Sequence, residues 1–519
     1  MNTKTQDRQS AGPLRVVILG GGTAGWMAAA GLASQLPPRD YAITLIELDE
    51  IGTVGVGEAT LPQIKQFNDM LGLNEAEVLR ATQATFKLGI EFRDWDLPGS
   101  SYIHPFGTFG EPWGGIGFQH HWLRAKALGR DPGPLDAYSF AVMAARANRC
   151  AMPDADPRAI GSTFSYAYHF DAALYAGYLR DRAIGQGVTR IEGRMCAAER
   201  DGESGHLTAL TLASGQRITG DFFLDCSGFR SLLLAGEFGG EWEDWSHWLP
   251  CDRAFAVPSA HGEAFLPYTR ATARLAGWTW RIPLQHRVGN GYVFSSRHIE
   301  EDAARAALLA SLEAKPLAEP RLLRFAPGRR RQAWTGNCVA IGLAGGFLEP
   351  LELTSIFLIQ TAVTDLARLM PRAPGRADPA LVDEFNRFSD LQYARIRDFL
   401  ILHYAANRRF GEPLWDHART MELPETLVHK LALFRKRATL PDYRHGLFSR
   451  ESWLSVLVGQ GIEPNGFDPL AETVPLDALV ARLDDLRERI AAGVAAMPDH
   501  ARFVRDYCCA EPQREGLPA

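Results

Sequence analysis

Only seven cysteines occur in 519 residues, and none forms a C-x-x-C pair. An odd count without that spacing excludes a disulfide framework and points to a reducing compartment, so a cytoplasmic location is expected. The adjacent Cys508 and Cys509 lack clustered histidines and are expected to be two exposed, inert thiols; no metal is expected. No basic run offsets the net charge of −6, which argues against a nucleic-acid surface. No apolar stretch approaches the length of a membrane span. Met1–Pro13 is polar, lacks the apolar core of a signal peptide and reads as disordered. What remains is ordinary globular usage, 46% hydrophobic and 22% charged, with length for two or three domains' worth of core.

Against that background one stretch carries strong information. Leu14–Leu19 is an apolar run leading directly into Gly20-Gly21-Gly22-Thr23-Ala24-Gly25 and then a helix through Met27 to Leu36. The G-x-G-x-x-G spacing lets a backbone turn tightly and approach a pyrophosphate, which rests on the helix N-terminus. Roughly 20 residues on, Ala42–Ile46 ends in Glu47, where an acid bonds a ribose hydroxyl. A lone glycine pattern is weak, but strand, turn, helix, second strand and terminal acid in this order predict a dinucleotide-binding module. The loop Gly52–Thr60 is a second glycine-rich turn leading into a helix over Leu61–Leu71, a second backbone cradle for the same cofactor.

Farther on, Asn74 and Glu77 have capping-box spacing. Thr85–Trp95 then alternates as a single strand, with Phe86, Leu88, Ile90 and Phe92 on one face and Lys87, Gly89, Glu91 and Arg93 on the other. By itself Lys87 reads as a solvated strand lysine. Tyr102–Gly107 reads as an aromatic loop, Tyr168–Gly187 as a helix, and Val188–Ala197, Leu207–Leu212 and Gln216–Gly220 as strands. In Gly277–Pro283 alternation puts Trp278, Trp280 and Ile282 on one face, which packing alone can explain. Cys338–Phe347 reads as a buried strand ending in a glycine turn, followed by a helix over Ile356–Met370. The N–H groups and positive dipole end at Thr354 and Ser355 make a natural anion site, and Glu352 beside them can be only a favourable charge near a helix start.

Together GGGTAGW, GVGEAT, TFKLGI, GWTWRIP and EPLELTSI resemble the flavin-dependent tryptophan halogenases, in that family's order, from about residue 14 to about 465. The resemblance implies an α/β fold: a Rossmann-like FAD-binding module of the single-component flavin monooxygenase type, with a largely helical C-terminal part covering the substrate. It implies FAD, used as FADH2, against Gly20, Gly22, Thr23, Ala24, Gly25, Glu47, Gly55, Ala59, Leu343 and Ile356. Chloride or bromide is implied at Thr354 and Ser355, and the hypohalous acid made from it would travel to Lys87, with Glu352 as second catalytic residue. His104 and Phe106 match rings that sandwich an indole, with Phe448 or Trp453 as a further ring; such stacking contributes about 0.5–1.5 kcal/mol per ring. The tryptophans of GWTWRIP are implied to wall flavin from substrate. Two residues depart from the family's E-S-T-G: Leu353 removes a hydroxyl, and Ser355 adds a side chain near the halide.

The boundaries expected are a disordered 1–13, a catalytic module over 14–375, and a helical lid over 376–519 built from Leu381–His403, Glu422–Arg437 and Leu476–Met497. The family's tyrosine pair for an amino-acid zwitterion has no match in Lys436–Tyr443. Without that clamp a desolvated zwitterion is poorly held, so indole or an indole-containing compound is the expected substrate. No second glycine turn for a nicotinamide is evident, so a separate flavin reductase, met by diffusion, is the expected source of FADH2. A homodimer is the base-rate expectation. Two other readings compete: a flavin-dependent aromatic monooxygenase, and an FAD-binding protein whose catalytic site has decayed.

Overall fold

The structure is a computed structural model and describes residues 12–48, 57–262, 265–373, 377–441 and 446–510. Gly55 and most of the polar N-terminal segment lie outside these residues. The predicted first strand is Leu14–Leu19, buried except at Arg15, and it pairs in parallel with Tyr41–Glu47 on one side and Phe222–Asp225 on the other. Cys338–Ala340 and Thr189–Glu192 continue the parallel sheet, and antiparallel Trp334–Thr335 ends it. Burial on both faces is why these strands are nearly continuous apolar runs rather than alternating ones. Helix Thr23–Gln35 packs against helix Ser355–Leu369, and Gly31 permits the approach: a Cβ there would sit 2.5 Å from Val363.

A seven-stranded sheet, in spatial order Arg321–Arg324, Arg253–Ser259, Val288–Phe294, Gly277–Pro283, Thr269–Arg274, Gly89–Arg93 and Ser101–Pro105, forms the second layer. A small sheet of Gly57–Ala59, Ala167–Asp171 and Thr85–Lys87 bridges the two. Helices Pro379–Ala405, Pro413–Thr420, Glu425–Arg437, Arg450–Gly459, Leu476–Ala496 and His500–Cys508 make up the C-terminal part, as the helical periodicity predicts.

Five local expectations are corrected. Thr85–Trp95 is not one strand. It breaks at Leu88, whose N–H bonds Pro267 and whose carbonyl accepts from Phe106, so Thr85–Lys87 pairs with Ala167–Asp171 while Gly89–Arg93 joins the larger sheet. Lys87 is accordingly not solvated but fully buried. Tyr102–Gly107 is largely strand, because Ser101–Pro105 pairs with Gly89–Arg93; Gly89 allows it, since a Cβ there would lie 2.5 Å from the His104 carbonyl. Tyr168–Gly187 starts as the strand Ala167–Asp171, and Asp171 then caps helix Ala172–Gly185 through the N–H groups of Ala173 and Leu174. Cys508 is buried, its carbonyl accepting from Gln285, and of the adjacent pair Cys509 alone is exposed.

The last helix covers the back of the lysine strand. Phe503 and Tyr507 pack on Phe86 with ring centroids 4.8 and 5.8 Å away. The Glu75 carboxylate collects the hydroxyls of Tyr507 at 2.7 Å, Tyr166 at 2.9 Å and Tyr168. With aromatic packing behind its strand and the site in front of it, Lys87 is fully buried.

Candidate active site

The glycine turn has the form that a bound pyrophosphate needs. Gly20 sits at φ +115, where a side chain is strained, and a Cβ would meet the Cys226 carbonyl at 2.3 Å. A Cβ on Gly25 would fall 1.8 Å from the Gly20 oxygen, so the helix can follow the strand this tightly only with glycine there. At Gly22 a Cβ meets nothing within 4 Å. Gly22 is also the N-cap of helix Thr23–Gln35, which no side chain caps. The result is an open cradle at a helix N-terminus, with Thr23 and Ala24 in its first turn. Glu47 ends the neighbouring strand, where its carboxylate accepts from Trp26 Nε1 at 3.1 Å and pairs with Arg190. Leu343 lies in the turn Gly342–Ala344, which closes on the cradle: a Cβ on Gly342 would be 2.8 Å from Ala24. Ile356 and Ala59 are buried.

Lys87 donates from Nζ to the Thr60 carbonyl at 2.9 Å, with the ammonium 4.9 Å from the Phe106 ring centroid. Burial lowers its pKa to about 7, and the Glu352 charge opposes the shift. An amine that carries its proton only part of the time at neutral pH suits reaction with an electrophile far better than a solvated lysine does.

Glu352 is equally buried, in the turn before helix Ser355–Leu369. Burial raises its pKa, but the charge of and hydrogen bond from His104, and those from His403, outweigh it and hold the carboxyl at about 2. His104 Nδ1 lies 2.9 Å from Oε2 and His403 Nε2 lies 2.8 Å from Oε1. An ionised carboxylate only accepts, so both imidazoles donate; His403 Nδ1 is then left to accept from the Tyr102 hydroxyl at 3.1 Å. His403→Leu should cost about 1–3 kcal/mol, because a buried carboxylate loses a donor. Thermal melting measures this, and an unchanged midpoint would show that the contact carries no stability.

The aromatic residues gather on His104. Its ring meets the edges of Phe106 and Phe399 at 6.3 and 5.7 Å and lies 6.0 Å from Phe448, which stacks on Phe399 at 3.9 Å. Trp453 stands on Phe399 at 4.9 Å, with Lys430 Nζ 3.5 Å from its ring centre. Phe448 is therefore the member of the pair that reaches His104. Thr354 caps helix Ser355–Leu369 without a side-chain bond, and its buried hydroxyl has no hydrogen-bond partner. Leu353 takes φ +58, a left-handed conformation unusual for leucine.

The sequence does not disclose His403, Tyr102 or Phe399. A histidine in the apolar stripe of a helix reads as core, and only the crossing of Pro379–Ala405 over Glu352 shows otherwise. Among the described residues no group of three or more His, Cys, Asp or Glu can hold a metal ion, and no helix is long and apolar enough to cross a membrane.

The tryptophan halogenase family model matches residues 15–476. A tryptophan 6-halogenase of Streptomyces toxytricini is 35% identical over 98% of this chain and 97% of its own length. Among solved structures, a flavin-dependent halogenase from Xanthomonas campestris superposes with a TM-score of 0.93 at 45% identity, covering 97% of this chain and 100% of that one. A flavin-dependent halogenase from Brevundimonas sp. BAL3 gives 0.90 at 46% identity, covering 95% and 99%.

Proposed function

The chain belongs to the tryptophan halogenase family, and on that premise we propose that Lys87 and Glu352 carry out halogenation of an indole. It is a flavin-dependent halogenase with the α/β fold of that family. The observation that carries the assignment of Lys87 is its complete burial beside Phe106, within reach of the Glu352 charge.

The residues present fit FAD: the Gly22 cradle is open, and the turn at Leu343 closes on Ala24. Bound as FADH2, the cofactor would supply two electrons to oxygen, and the resulting oxidant would take two more from halide to give hypohalous acid. The chain's own part is to bind the halide at the uncapped helix start, through the unpartnered Thr354 hydroxyl and the Ser355 N–H, with either chloride or bromide admitted. Lys87 holds the electrophile at one ring carbon, through a hydrogen bond from its ammonium or capture by its amine. Glu352 stabilises the positive charge that develops on the ring. His104 and Phe106 grip the ring, with Phe448 behind them. FADH2 comes from a separate reductase, and the helices beyond residue 376 close over the substrate.

Indole is expected to be halogenated at least as efficiently as free tryptophan, because Lys436–Tyr443 offers no tyrosine pair for a zwitterion. The test supplies a flavin reductase, either halide, and indole, tryptophan or indole derivatives, and reads product mass. A halogen isotope pattern supports the reading, gain of one oxygen points to a monooxygenase, and no product with any substrate points to a decayed site. A strong preference for tryptophan would reveal an amino-acid clamp elsewhere in the helical part.

A further inference from the structure

Glu349 lies in the same turn as Glu352, and the two carboxyls are set in opposite environments. Both are buried. Glu352 is gripped on both oxygens by imidazoles. Glu349 has only neutral donors, and both use one oxygen: Trp278 Nε1 at 2.9 Å and the Tyr404 hydroxyl at 2.7 Å reach Oε2. Its Oε1 is buried without a hydrogen-bond partner. The partners come from distant elements, since Trp278 is in strand Gly277–Pro283 and Tyr404 follows His403 in helix Pro379–Ala405. Consecutive residues of one helix thus hold the two carboxyls of one turn.

We propose that Glu349 is a positioning residue that works as a neutral carboxylic acid, locking the Trp278 indole and the Tyr404 end of its helix onto the turn that carries Glu352 and Thr354. The proposal rests on the halogenase reading of Glu352 and Thr354. Burying a second carboxylate with one oxygen unsatisfied is costly. It would also place a second negative charge in the turn that leads to the anion-binding helix start. The titratable groups facing Glu349 are Tyr404 and, through it, the Cys251 thiol 3.5 Å from the Tyr404 oxygen, both held neutral by burial. Asp252 and Arg297 act on Cys251 from farther out with opposite sign. Burial raises the Glu349 pKa to about 7, against the two hydrogen bonds. Below about pH 7 one carboxyl of the turn stays charged while the other keeps its proton, which is how neighbouring acids come to have separate tasks.

The sign of the linkage makes this testable without cofactor. A carboxyl whose folded pKa is raised contributes full stability below its unfolded pKa, and stability falls as pH rises towards about 7. Glu349→Gln removes that slope. Relative to the parent, its melting temperature should therefore rise between about pH 5 and about pH 8. A parent-to-glutamine difference equal at both pH values would overturn the neutral acid.

The second measurement is halogenated product formed per FADH2 consumed. Glu349→Ala should lower this ratio about tenfold to a hundredfold, with peroxide released instead, because a small misplacement near reacting groups is that costly. Glu349→Gln should restore it. An alanine variant as tightly coupled as the parent would overturn the positioning role. If alanine at 349 prevents folding, Tyr404→Phe removes one of the two bonds and should lower the ratio in the same direction; a parental ratio there has the same overturning force. If the parent itself halogenates nothing, the halogenase reading of the turn fails and the positioning role falls with it, while the melting measurement still decides whether Glu349 keeps its proton.

Discussion

Replacing Lys87 by alanine should abolish halogenated product, by at least about 10²–10³-fold, while FAD binding and peroxide-forming oxidation of FADH2 continue. Free hypohalous acid is a weak electrophile in water and attacks whichever ring carbon is most reactive. A nitrogen fixed on a strand, bonded to Thr60 and facing Phe106, holds it beside a single carbon. Lys87→Met keeps the packing of the stem and should be equally inactive. Its stability separates lost chemistry from lost structure. A lysine whose folded pKa is lowered to about 7 contributes full stability only above its unfolded value, and loses it as pH falls towards 7. The methionine variant lacks that slope, so relative to the parent it should be more stable at neutral and acid pH than at alkaline pH. Bromination of indole by either variant at near the parent rate, with catalase present to remove free peroxide, would show that the lysine is not the delivery point.

Gly22→Val should abolish FAD binding with the fold largely intact. Gly22 has ordinary backbone angles, φ −73 and ψ −173, and a Cβ there touches no protein atom, so the substitution strains nothing. The branched side chain instead fills space that the pyrophosphate needs. Fluorescence titration should show flavin affinity lost, while circular dichroism and the melting temperature stay close to the parent values. Retained affinity would place the pyrophosphate elsewhere. The same substitution at Gly25 is a useful contrast: a Cβ there collides with the Gly20 oxygen, and folding itself should suffer.

Local chemistry determined much of this protein in advance. Gly20, Gly22 and Gly25 mark the cradle because a tight turn and a close approach can be read from spacing alone. Leu14–Leu19 and Tyr41–Glu47 are legible as strands because burial on both faces demands apolar runs. The motif order from GGGTAGW to EPLELTSI points to the family that the comparisons then show.

What alternation could not settle was which face of a strand meets water. Lys87 looks solvated in Thr85–Trp95 because periodicity assumes one open face. The chain instead breaks at Leu88, and Lys87 points into groups brought from other elements, the Thr60 carbonyl and the Phe106 ring. Charge state was likewise beyond sequence. Glu349 and Glu352 are the same residue type in one turn, and their difference arises only where helix Pro379–Ala405 sets His403 against one and Tyr404 against the other. A carboxyl's proton affinity depends on which donors and how much water surround it, and long-range packing supplies both.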